Sequence, residues 1–159
     1  MAPLAPQVQQ LDSLPGVKET AARVILAAIG TDMSRFDSAA RLAAWAGVCP
    51  GNNDSAGKCR RGKARKGHRY LRRVLVHCAW AARTTPSFLG RTLRRLEARL
   101  GGQKAAMAVA HKILVIIDHL LSEGSVYEEA RYAHLQPKQE ERERQRAMQA
   151  LEPLGSAVT

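Results

Sequence analysis

A serine hydroxyl becomes a useful nucleophile only when it is exposed, oriented and close to positive charge that stabilises the attacked group. One stretch of this sequence has the residue types for that: Ser55-Ala56-Gly57-Lys58-Cys59-Arg60-Arg61-Gly62. Ser55 sits among small residues and is followed by Lys58, Arg60 and Arg61. Guanidinium groups match the charge and fork geometry of a pentacovalent phosphate. The neighbourhood therefore suits phosphodiester chemistry better than acyl transfer, which calls for a histidine base and an oxyanion hole. The spacing of a phosphate-binding P-loop is missing. Spacing alone equally allows Ser55 to be an ordinary turn residue. Asp54 and His68 are candidate bases only by nearness in sequence; a turn carboxylate and a surface imidazole are their plain readings.

Next along the chain is a basic row: Lys63, Arg65, Lys66, then Arg69, Arg72 and Arg73, where a glycine-rich loop enters an amphipathic helix. Leu71 and Val74 would anchor that helix while the arginines stay wet. Phosphate contacts from such a row add affinity without reading sequence, and about six of them give a log K against log salt slope of roughly −5. Upstream, Leu14-Pro15-Gly16-Val17 followed by Lys18 resembles a helix-hairpin-helix turn. There Gly16 would let backbone approach a phosphate, the next helix N-terminus would bind it, and Lys18 would replace the usual second glycine. A plain helix–helix turn explains the same residues.

Metal chemistry finds little support. Cys49, Cys59, His68, His77 and Cys78 lack the close CxxC pairing of structural zinc. Asp12, Glu19, Asp32 and Asp37 fall at turns and helix ends, where capping explains them. His77, His111 and His119 lie in predicted helices and read as packing or surface residues; Trp45 and Trp80 read as core anchors.

The elements that must position these residues follow from periodicity. Pro3 and Pro6 disfavour helix at the start, leaving a turn or two over 7–13. Helices are predicted over 17–29, 39–46 (capped by Asp37 or Ser38), 68–83, 86–100 (capped by Thr85) and 103–121, with Gly30, Gly47, Gly101 and Gly124 as stops. Residues 49–67 carry five glycines or prolines and almost nothing apolar, so they form a long loop or small ribbon, a length that is usually functional. Beyond Tyr127 the chain is polar and alternates in charge, partly helical or disordered. The expected fold is mainly α: a helix-hairpin-helix-like element over 7–30, a small helical domain with a long basic loop over 31–124, and a polar tail over 125–159.

The chain has 159 residues and a net charge of +11. Between Arg41 and Arg95 fourteen Lys and Arg face one acid, Asp54, so the excess is concentrated in one block. A concentrated field of one sign attracts a polyanion. No run of eighteen apolar residues and no secretory signal is apparent, and the three unpaired-looking cysteines fit a reducing cytoplasm.

In order and spacing, Leu14-Pro15-Gly16-Val17, Arg35-Phe36, Leu42 to Gly47, Pro50, Ser55 to Lys58 and Gly67 to Arg73 resemble the C-terminal transposase domain of the insertion sequence 110/116/902 family. The likeness continues through Lys104-Ala105, Ala110 to Leu114 and Tyr127. It implies a DNA recombinase of mobile elements, guided by a structured bridge RNA and homo-oligomeric at full length. Ser55 matches the family's catalytic serine, which joins transiently to DNA. Ala56 stands where glycine is usual. The resemblance places the divalent metal in an N-terminal nuclease half whose four acids are not found here. No cofactor is therefore expected in this chain, and the isolated chain is expected to be inactive. It further implies a nucleoid-associated, cytoplasmic protein. The alternatives are a non-catalytic nucleic-acid-binding helix-hairpin-helix module and a basic helical domain that binds protein.

Overall fold

The computed structural model describes residues 4–49, 54–55, 58–59, 67–133, 141–142 and 144–151. The fold is mainly helical. Its elements are α1 (Ala5–Asp12), α2 (Glu19–Ile29), a 3-10 turn (Met33–Arg35), α3 (Ala39–Ala46), β1 (Asp54–Ser55), β2 (Lys58–Cys59), α4 (Arg69–Ala82), α5 (Phe88–Leu100), α6 (Gly102–Glu123) and α7 (Glu129–Ala133). The chain divides into two units, Met1–Tyr127 and Glu128–Thr159. The second holds α7 and further helical residues in 141–151 whose described side chains are exposed.

In the first unit α6 is the central helix, packed by α1, α3, α4 and α5. Ala106, Val109, Ala110, Ile113, Leu114, Ile117 and Leu120 recur at helical spacing and are fully or almost fully buried. By length and composition this 22-residue helix could cross a membrane, which a count of unbroken apolar residues misses. Here half of its apolar window is buried in the bundle it organises.

Local chemistry sets the helix ends. Ser38, not Asp37, caps α3 by accepting from the Arg41 N–H, while Asp37 pairs with Arg41 instead. Pro6 does not prevent a helix: it lies in the first turn of α1, where a missing N–H costs nothing. Thr85 does not cap α5. Its hydroxyl donates to the Ala82 carbonyl and contacts the Ser87 hydroxyl, and Ser87 accepts from the Gly90 N–H. The core face of α2 is formed by Ala22, Ile25, Leu26 and Ile29, all buried. On α4 the buried residues are Leu71, Leu75, Cys78, Ala79 and Ala82, and Val74 is only partly covered.

Candidate nucleic-acid interface

The loop that carries Ser55 springs from a narrow neck. At one end α3 closes on Gly47, whose φ of 77° is left-handed, and Val48 is fully buried with its N–H donating to the Ala43 carbonyl. Cys49 follows, its Sγ 3.7 Å from Nδ1 of His111 on α6. At the other end the Gly67 backbone lies directly on Gly47: a Cβ there would come within 2.4 Å of the Gly47 nitrogen. The His68 N–H donates to the Trp45 carbonyl at 3.3 Å. The two ends of the loop therefore meet, and only glycine permits so close an approach of two backbones. His68 then caps α4, its Nδ1 accepting from the Leu71 N–H at 3.0 Å, which requires the neutral ring.

Within the loop β1 and β2 pair antiparallel, with Ser55 opposite Lys58 and Asp54 opposite Cys59. Arg60, Arg61, Lys63, Arg65 and Lys66, expected to touch nucleic acid, lie outside the described residues.

Leaving the neck, α4 presents Arg69, Arg72, Arg73, Val76, His77 and Trp80 on one stripe, at spacings of three and four residues. Together with Met107 of α6 they line an open groove of about 300 Å³. No acid lines it, and α4 contains none. Among the described residues no carboxylate pairs with Arg69, Arg72 or Arg73. These three expected contact residues are thus brought together on one exposed surface.

Gly16 has a different setting. It has φ 88° in a turn closed by the Val17 N–H on the Leu14 carbonyl, with Pro15 preceding it, as a type II turn requires. A Cβ on it would come within 2.3 Å of the Cys78 carbonyl oxygen and 2.9 Å of Ala82. The glycine is needed because this turn is seated on the backbone of α4. Lys18 is the exposed N-cap residue of α2.

Trp45 and Trp80 are not core anchors. Trp45 is 41% exposed and lies between Phe36 and His68, at ring distances of 5.4 and 5.5 Å. Trp80 is 37% exposed and ends the arginine stripe. The signal was in the sequence: Trp80 is seven residues from Arg73 and eleven from Arg69, so it shares their face rather than that of Leu71 and Leu75.

Among the described residues no three of His, Cys, Asp and Glu cluster as a metal site would require. Burial pushes the Cys78 thiol up to about 11, so at neutral pH it is a protonated core group. Burial, and then the neighbouring Lys112, holds His111 below the usual imidazole range.

The sequence matches the model of the family described as Transposase IS116/IS110/IS902 family over residues 8–91. Two curated relatives are similar to it. A Sinorhizobium fredii protein named "Putative transposase y4qE" is 36% identical over 95 residues, covering 59% of this chain and 24% of that protein. A Mycobacterium paratuberculosis protein named "Insertion element IS900 uncharacterized 42 kDa protein" is 37% identical over 125 residues, covering 74% and 30%. The chain thus spans 24% to 30% of the length of these relatives.

Proposed function

The chain belongs to the IS116/IS110/IS902 transposase family, and from that premise we propose that it is the DNA-binding, serine-bearing part of a transposase that cuts and rejoins strands. The observation that carries this reading is the junction at Gly67. There the loop holding Ser55 opens directly into the helix face of Arg69, Arg72 and Arg73, which no carboxylate among the described residues neutralises. A strand held along that face by its phosphates runs past the mouth of the loop.

In the proposed reaction the Ser55 oxygen attacks a backbone phosphorus. A new P–Oγ bond forms, one P–O bond to deoxyribose breaks, and the released deoxyribose oxygen takes up the proton that serine gave. Rejoining reverses the step with a second strand's hydroxyl. The backbone register of Ser55 opposite Lys58 supports a role for that lysine in stabilising the charged transition state. Divalent metal chemistry, the guide RNA and oligomer formation belong to the full-length assembly in this reading, with metal-binding acids outside this chain.

The test is strand transfer by the chain joined to a family nuclease half. Ser55→Ala abolishes the covalent protein–DNA adduct and leaves binding of duplex DNA within about twofold, because the hydroxyl adds little to phosphate affinity. Adduct formation by the Ser55→Ala protein contradicts the serine assignment. Binding with no adduct from the unsubstituted protein favours a non-catalytic binding module.

A further inference from the structure

The arginine stripe of α4 does not end in solvent. It runs for about 16 Å from Arg69 beside the neck to the indole of Trp80. Trp80 is supported from below: a Cβ on Gly102, at the start of α6, would lie 3.0 Å from its Cη2. The ring therefore rests against the α5–α6 junction, while the residue is 37% exposed and lines the groove. An exposed indole at the end of a cationic groove with no acid among its described lining residues has two complementary ligands in one molecule: phosphate for the guanidinium groups and a flat ring for the indole.

We propose that this groove binds an unpaired DNA strand, with phosphates on Arg69, Arg72 and Arg73 and one base stacked on Trp80. The proposal rests on the reading of α4 as a nucleic-acid surface and adds the strand state and the residue that senses it. A duplex buries the faces of its bases in its own stack, so it reaches the arginines but not the indole. Only an unpaired nucleotide offers a ring face. Beyond the arginines the groove is lined by Val76, His77 and Met107, of which Val76 and Met107 are apolar. A ribose 2′-hydroxyl set against Val76 and Met107 would lose hydration that the methylene of deoxyribose does not have, so the proposed strand is DNA rather than RNA. In a cut-and-rejoin reaction, a strand held this way stays beside the loop mouth after its partner strand has left.

Tryptophan emission reads this directly, because the chain has two tryptophans and Trp45→Phe leaves Trp80 alone. Titrating that variant of the 159-residue chain with a short oligothymidylate should quench the emission saturably. Duplex DNA of the same length should bind with little quenching, and oligouridylate should bind more weakly. Trp80→Ala should lower affinity for the single strand about tenfold and leave duplex affinity within about twofold, with Trp80→Phe intermediate. Saturable strand binding without quenching overturns the stacking site while the basic surface stands. Tighter binding of oligouridylate than of oligothymidylate overturns the choice of DNA. Failure of every nucleic acid to bind overturns the reading of α4 itself. Should Trp80→Ala fail to fold, the quenching of the Trp45→Phe protein decides alone.

Discussion

Helices α4 and α5 carry arginine at similar density and, Arg99 of α5 apart, use it in opposite ways. On α5, Arg94 donates to the Arg83 carbonyl at the end of α4, Glu97 pairs with Arg83 at 2.8 Å, and Arg91 and Arg95 also make interactions. Helix C-terminal carbonyls lack intrahelical partners, and a guanidinium over them satisfies bond and dipole together. On α4, Arg69, Arg72 and Arg73 have no acidic partner among the described residues, and their groove holds no acid. The difference lies in what surrounds the cations. α5 brings its own Glu97 and begins against the end of α4, where a Cβ on Gly90 would meet the Ala82 and Thr85 carbonyls. The wet face of α4 adjoins a basic loop. Charge that the fold already uses holds helices together; charge left unused is available to a polyanion.

The comparison predicts that framework and interface break separately. The largest effect belongs to the turn seated on α4. Gly16→Ala combines a left-handed backbone with a clash against the Cys78 carbonyl and should cost roughly 3 kcal/mol, about 10 °C in Tm. Thermal unfolding followed by circular dichroism measures it, and a loss under about 1 kcal/mol contradicts the seating. Next comes the α4–α5 tie. Arg94→Ala with Glu97→Gln should cost about 1–2 kcal/mol, a modest figure because the Arg83 side chain is 48% exposed. Duplex affinity of the folded protein should stay within about twofold. A tenfold loss would place α5 in the interface.

The smallest effect is a pH dependence confined to the framework. The folded state disfavours protonating His111, chiefly through burial and then through Lys112. As pH falls the unfolded chain takes that proton first. The stability tied to the neutral ring is therefore complete above the ordinary histidine range and is lost as pH drops through it toward the folded value. Denaturation between about pH 7.5 and 5.5 should show this slope, and His111→Gln should flatten it. Guanidinium groups stay charged throughout, so the contribution of Arg69, Arg72 and Arg73 to binding should not change.

The helices were largely legible, because glycine stops and buried aliphatic spacing act locally. Helix α3 runs from Ala39 to Ala46 as its periodicity indicates, and Gly30, Gly47, Gly101 and Gly124 follow the ends of α2, α3, α5 and α6. The α5 cap was not legible. Thr85 and Ser87 are chemically equivalent caps, and the choice depends on how α5 abuts α4. Of the site, the arginine face of α4 was readable from its period. That Arg94 is engaged was not, since its partner, the Arg83 carbonyl, is brought to it by tertiary packing. Gly16 shows the same limit: the sequence marks a special backbone, and only the fold shows α4 against it. Size misled for the two tryptophans, because a large ring reads as core when its place in the helical period is ignored.

The most direct measurement is the salt dependence of duplex DNA binding by three proteins: the unsubstituted chain, Arg69→Ala/Arg72→Ala/Arg73→Ala, and Arg91→Ala/Arg94→Ala/Arg95→Ala. Each phosphate contact contributes about 0.9 to the log–log slope. The α4 substitutions should flatten it by about 3 and weaken binding roughly a hundredfold at low salt. The α5 substitutions should leave the slope unchanged while lowering stability. Equal flattening by both sets, or none from α4, would contradict the assignment of the interface to α4.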